Sequence, residues 1–198
     1  MTDSGTTDPV RPPELAVATV AGGCFWCTEA VFEQVEGVHA VENGYVGGHL
    51  PNPSYARVCD GDTGHAEALR ITYDPAVLPY PALLEIFFGT HDPTTQDRQG
   101  HDVGSQYRSA VFAHDADQEA AARAAIAALE SEGVYGAPIV TEVVRLDPST
   151  LAGTWYPAEA YHQGYFRANP YQGYCTAVVA PKVAKFRQRF ASRLRGAA

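Results

Sequence analysis

Two cysteines spaced three apart, in Gly22-Gly23-Cys24-Phe25-Trp26-Cys27, are the side chains of this chain best suited to chemistry. An apolar run precedes them and helix-forming residues follow, so Cys24 is expected where a strand turns into a helix. Unpaired backbone N–H groups and the helix dipole favour negative charge there, and the Cys24 thiol pKa is expected to fall. A thiolate is the nucleophilic form. One helical turn brings positions 24 and 27 to about 5 Å, a span that a disulfide tolerates. Three chemistries fit: dithiol–disulfide exchange, zinc binding, or a nucleophile with its own resolving thiol. The plain alternative is a pair of buried cysteines packing as small apolar groups.

Zinc binding finds little support. His65-Ala66-Glu67 is similar to the His-x-Glu of zinc deaminases, but there it precedes the CxxC and a proline introduces the cysteines. Here the order is reversed and glycine stands before Cys24. Cys59 and Cys175 are solitary, so no second ligand pair is offered and no metal is expected. A thioredoxin-like dithiol has the right strand–CxxC–helix layout. The bulky rings of Phe25 and Trp26 are unsuited to docking flat against many disulfides. They would instead build an apolar wall beside the sulfur, able to hold a small apolar group.

The elements that must position these groups follow from the hydrophobic pattern. Residues 15–20 read as a strand ended by Ala21-Gly22-Gly23, and 25–36 as a helix of about three turns before Gly37. Residues 44–64, rich in glycine and proline, read as a long ordered loop, and 91–107 as a second, polar one; loops of that length tend to be functional. Strands are expected at 68–73, 109–113 and 139–146, and a short helix at 81–88. Asp115 caps the clearest helix, 115–132, with Gln118 three positions on and Gly133 at its end. Residues 154–174 are aromatic-rich and irregular. Pro181 opens a last helix with Val183, Phe186, Phe190 and Leu194 on one face. Alternating strands and helices predict a layered α/β domain.

Composition sets further bounds. The 198 residues hold 14 Lys+Arg against 23 Asp+Glu, a net charge of −9. Six of the basic residues lie beyond position 181, so residues 1–180 carry a net −15. A body this acidic lacks the footprint of a nucleic-acid binder. No apolar stretch approaches the length of a membrane span. Residues 1–14, rich in Thr, Asp and Pro, do not read as a secretory signal and are expected to be a disordered leader to a catalytic domain at 15–198. Four cysteines in such a chain argue for redox chemistry, nucleophilic catalysis or metal binding rather than a disulfide framework. The protein is expected to be cytoplasmic and monomeric.

Gly23-Cys24-Phe25-Trp26-Cys27-Thr28-Glu29-Ala30 resembles the signature of the A-type peptide methionine sulfoxide reductases. Further motifs follow in that family's order: Gly44-Tyr45-Val46-Gly47-Gly48, Asn52-Pro53-Ser54-Tyr55, Gly64-His65-Ala66-Glu67, Tyr73-Asp74-Pro75 and His91-Asp92-Pro93-Thr94. Then come Arg98-Gln99-Gly100, Asp102-Val103-Gly104, Gln106-Tyr107-Arg108-Ser109 and Tyr161-His162-Gln163. The resemblance spans roughly residues 16–190. It implies one α/β domain, with a mixed sheet around a ferredoxin-like split βαβ core, surrounding helices and long irregular loops. It also implies reduction of methionine S-sulfoxide, free or in oxidised proteins, with no bound cofactor and with thioredoxin (dithiothreitol in vitro) as reductant.

A sulfoxide sulfur is electrophilic only when its oxygen is protonated or strongly hydrogen-bonded, so a thiolate must face an acid. A carboxyl group serves if apolar surroundings keep it protonated. The resemblance implies that Glu67 is this acid, with Tyr55 and Tyr107 as phenol donors, Asp102 in the same polar network, and Phe25 and Trp26 around the methyl group. The Cys24 sulfenic acid then needs a resolving thiol. Cys27 is one, and Cys175, in a segment that looks like the family's mobile C-terminal one, is the other. Both are expected to serve, Cys175 first. Cys59 reads as an inert thiol, and His65, His91, His101 and His162 as structural hydrogen-bonding groups.

Overall fold

Small and branched apolar residues make β1 (Ala16–Gly22) the buried centre of the sheet. The computed structural model describes residues 14–196, so the expected leader, except Glu14, lies outside the described residues. In chain order there follow α1 (Phe25–Phe32), β2 (Val38–Val46), α2 (Tyr55–Cys59), β3 (Ala66–Tyr73) and α3 (Tyr80–Thr90). A small hairpin, β4 (Arg98–Gln99) and β5 (Asp102–Val103), leads to β6 (Ser109–Ala113) and α4 (Ala116–Ser131). The chain ends with β7 (Glu142–Arg145), β8 (Tyr156–Pro157), α5 (Tyr165–Ala168) and α6 (Ala180–Arg189).

The six-stranded sheet runs β7-β6-β1-β3-β2-β8. Its inner four strands, β6-β1-β3-β2, are antiparallel and interrupted by α1 and α3 in the β-α-β-β-α-β order of the split βαβ unit. Only β7 is parallel, to β6, which makes the sheet mixed as expected. Alternation along the strands sends Leu69, Ile71, Val20 and Val111 to the face covered by α1, α3, α4 and α6, where Phe32, Phe87 and Phe186 fill the core. Ala21, Ala66, Ala68, Ala110 and Phe112 face the other way, under Leu146 and Trp155.

Most elements fall where the pattern puts them, and the Asp115 side chain accepts from Gln118 N at 2.7 Å. The departures have local causes. α1 stops at Phe32, because Val35 leaves to bridge Leu194 and Glu36 N donates to Arg193 O. The strand expected at 139–146 shrinks to Glu142–Arg145, since Val140 N is drawn to Pro93 O. Residues 44–46 are not loop but the end of β2, a strand hidden by its glycine and polar residues. Gly44 is there for space: a Cβ would collide with the Trp155 ring and stand 2.7 Å from Tyr156 O.

Gly44 and its partner Pro157 join β2 to β8, the strand that leads into the segment over the cysteines. Replacing Gly44 with Ala should overpack this seam and cost about 1–3 kcal/mol in urea unfolding; a variant as stable as the parent would refute the packing described.

Candidate active site

Gly23 has φ +92°, and a Cβ there would lie 2.6 Å from Gln99 Cβ, so the turn out of β1 requires glycine. The turn delivers Cys24 to the N-cap of α1. Its sulfur does not receive the helix's first N–H. Phe25 N donates instead to Glu67 Oε2, at 3.1 Å. Glu67 is the second residue of β3 and shares the face of Leu69 and Ile71, so strand alternation aims it under α1. It is 1% exposed. Burial outweighs the Phe25 bond and pushes its carboxyl up to about 8, with the nearby Asp102 adding to the rise.

The expectation for Cys24 needs correction. Its thiol is pushed up, first by burial and then by the neighbouring Cys27 and Glu67. Burial of the sulfur outweighs what the helix N-terminus offers the thiolate. Cys27 moves the other way, to about 7, chiefly because the Cys24 side chain hydrogen-bonds to it, with Lys182 and Tyr174 assisting.

The remaining expected groups gather around this pair. Burial and the proximity of Glu67 push both Tyr55 and Tyr107 up, so their phenols stay protonated donors. Asp102 lies on the small hairpin and accepts from Tyr174 Oη–H at 2.6 Å. Phe25 is buried, and Trp26 stacks on Tyr165 with centroids 3.7 Å apart and planes at 5°. Cys175 is fully buried in the same cluster as Cys24 and Cys27. It begins a π-helical stretch, Cys175–Val179, whose start is held by Gln172 Oε1 accepting from Tyr174 N and Cys175 N. All four cysteines are free thiols. Cys59 lies at the end of α2, its thiol bonded to the Tyr55 side chain.

Several contributors were not read as site residues. Trp26 Nε1–H donates to His162 Nδ1 at 3.1 Å, and His162 packs on Tyr55 and Phe25 with centroids 4.4 and 5.0 Å away. Glu159 accepts from Tyr45 Oη–H at 2.9 Å and Tyr55 N at 2.8 Å. Tyr174 sits beside both sulfurs. Their aromatic, irregular stretch was a signal of a wall, but not of which ring turns inward. His65 and His91 are structural as expected: His65 accepts from Gly48 N at 3.1 Å, and His91 bonds Ser109 Oγ at 2.7 Å. Among the described residues, no three His, Cys, Asp or Glu side chains converge as metal ligands. None of the described helices is long and apolar enough to cross a membrane.

A model of the family "Peptide methionine sulfoxide reductase" matches residues 16–194. The chain belongs to this family. A curated relative, peptide methionine sulfoxide reductase MsrA of Ralstonia nicotianae, is 61% identical over 180 residues, 91% of this chain and 93% of its own. Methionine sulfoxide reductase A of Corynebacterium diphtheriae superposes with a TM-score of 0.72 at 35% identity, covering 81% of this chain and 77% of that one. Reduced Mxr1 of Saccharomyces cerevisiae gives 0.71 at 35% identity, with 84% and 90% covered. Mxr1 has also been solved in complex with Trx2, a structure 24% identical with a TM-score of 0.50 that covers 81% of this chain and 91% of that one. The protein is thus an A-type methionine sulfoxide reductase, and the expected family and fold hold.

The buried acid of this reductase has a thermodynamic signature. Glu67 is ionised in the unfolded chain above about 4.5 but neutral in the fold up to about 8. The stability it permits is therefore complete below pH 4.5 and drains as pH rises through about 8. Glu67→Gln should match the parent's stability near pH 4 and exceed it by a few kcal/mol, in order of magnitude, at pH 8. Urea unfolding at both pH values checks this; a difference independent of pH would refute the neutral acid.

Proposed function

We propose that Cys24 attacks the sulfoxide sulfur while Glu67, supported by Tyr55 and Tyr107, protonates the departing oxygen. The observation that carries this reading is the buried Glu67 carboxyl, which accepts from the N–H of the residue next to Cys24 and whose burial keeps it protonated. The Phe25 and Trp26 rings, the latter braced by Tyr165 and His162, offer the sulfoxide methyl group an apolar seat. Asp102 acts at one remove, fixing the Tyr174 phenol beside the sulfurs. The substrate is the S epimer, free or within oxidised proteins.

Attack moves the oxygen to Cys24 as a sulfenic acid and releases methionine. Condensation with a thiol then forms a disulfide and water. The local geometry favours Cys27 as first partner, because its N–H donates to Cys24 O at 3.0 Å on the same turn, whereas Cys175 reaches the shared cluster from a separate segment. Cys175 would next attack Cys27 and free Cys24, reversing the order expected from sequence. Loosening the π-helical stretch, a feature frequent at functional sites, would expose this second disulfide. Thioredoxin is the proposed reductant, a reading supported by the complex of Mxr1 with Trx2. No resident cofactor is called for, and the protein would act as a cytoplasmic monomer.

Dithiothreitol-driven reduction of a racemic methyl aryl sulfoxide should consume the S enantiomer alone; consumption of only the R form would overturn the assignment. The rate should follow a bell, rising through about pH 7 as the thiol pair ionises and falling through about 8 as Glu67 loses its proton. In Glu67→Gln the reaction should slow by at least about 100-fold and lose the alkaline limb. An unchanged rate would instead favour a general dithiol oxidoreductase.

A further inference from the structure

Trp26 is gripped from outside its own helix. Its indole N–H donates to His162 Nδ1 at 3.1 Å, and its ring lies flat on Tyr165 with centroids 3.7 Å apart. Both grips belong to one short segment, residues 162–165, which returns to α1 from far along the chain. That segment has little regular structure of its own. A 3₁₀ turn ends at His162, and the four-residue α5 begins at Tyr165. Its place relative to α1 must therefore come from individual polar contacts.

On the sheet side those contacts come from Asn43 of β2. Its Nδ2 donates to His162 O at 2.9 Å, and its backbone exchanges bonds with the Gln163 side chain at 2.9 and 3.0 Å. On the helix side the contact to the backbone is Glu29. It stands one turn beyond Trp26, at i+3, and is 3% exposed. Glu29 Oε1 accepts from Gly164 N at 2.7 Å, a bond between residues 135 positions apart. Gly164 is buried, lies between the two residues that grip Trp26, and has the φ of +65° that glycine adopts freely. The Arg167–Glu33 ion pair also joins α5 to α1, but Arg167 is largely exposed and water screens it. Burial disfavours charge on the Glu29 carboxyl, and what the segment uses is its acceptor oxygen.

We propose that Glu29 is a positioning residue for sulfoxide binding: it pins residues 162–165 to α1, so that His162 and Tyr165 keep Trp26 against the substrate methyl group. This rests on the reading above in which Trp26 helps to form that apolar seat. Without the Glu29 oxygen, Gly164 N–H is a buried donor with no acceptor, and the segment must shift to find one. The shift takes the acceptor and the stacking ring from Trp26 together, because both move with Gly164. Cys24 and Glu67 are held by other contacts, the Gly23 turn and the Phe25 N–H. The loss therefore falls on binding and spares the chemical step.

Single-turnover methionine formation without reductant, over a range of methionine sulfoxide concentrations, reads binding and chemistry separately. The Trp26 indole N–H is followed in parallel by NMR, its resonance assigned by its loss in Trp26→Phe. In Glu29→Ala the half-saturating concentration should rise at least about 10-fold while the maximal rate changes less than about 3-fold. The indole resonance should move and its proton exchange faster with water. Glu29→Gln, which keeps the Oε1 acceptor, should restore parental binding and the parental resonance. Parental binding or an unmoved resonance in Glu29→Ala overturns the proposal, and so does a Glu29→Gln as impaired as Glu29→Ala. Glu29→Asp, whose carboxyl falls short of Gly164 N, guards against an alanine variant that does not fold. Its half-saturation and resonance should both move, and either one staying put overturns the proposal. Trp26→Ala should weaken binding as much, with Glu29→Ala adding less than about 2-fold on top of it. A full second effect in that background would overturn the positioning role alone. Parental binding by Trp26→Ala would instead overturn the reading in which Trp26 seats the methyl group.

Discussion

The bond from Phe25 N to the Glu67 carboxyl organises the site more than any other contact. It satisfies the first unpaired N–H of α1, ties that helix to the second residue of a central strand, and fixes the acid beside Cys24. A buried ionised carboxylate would be costly there, and the protein keeps the group neutral instead. Neutrality is also what the chemistry requires, because only a protonated acid can pass a proton to a sulfoxide oxygen. The same burial that keeps Glu67 neutral raises the Cys24 thiol beside it.

Around that contact the aromatic residues have divided labour. Phe25 is buried and packs towards Tyr45 and His162. Trp26 is half-buried, stacked on Tyr165 and held at its indole nitrogen by His162. That bond requires the His162 proton on Nε2, which lies 3.9 Å from Glu159 Oε2. Glu159 in turn fixes Tyr45 and the start of α2, from which Tyr55 projects. A chain of polar contacts therefore positions an apolar wall, on a segment that regular secondary structure barely supports.

Much of this was legible in the amino-acid sequence, for identifiable reasons. The strand–turn–helix around Cys24 follows from an apolar run, two glycines and helix formers, and α4 from its Asp115 cap. Glu67, Tyr55, Tyr107, Asp102 and Cys175 came from ordered family motifs, and the structure brings them together with the CxxC. Other features lacked a local signal. The end of β2, residues 44–46, reads as loop and its start carries no strand signal, because its glycine and asparagine serve contacts with β8 and with residues 162–163 that are visible only in three dimensions. The roles of His162, Glu159 and Tyr174 depend likewise on a long-range return of the chain. The direction of the Cys24 shift was misjudged because burial of the sulfur and the nearby Glu67 and Cys27 raise it, and spacing does not show how deeply a side chain will be buried.

The protonation state of Glu67 in the folded, reduced protein is the fact on which the account stands. Carboxyl carbon resonances of ¹³C-glutamate-labelled protein, titrated by NMR, report it directly, with the resonance lost in Glu67→Gln assigned to that residue. The account predicts that this resonance titrates near pH 8. Titration in the ordinary carboxylate range, near 4.5, would show a charged group facing the sulfurs and contradict it.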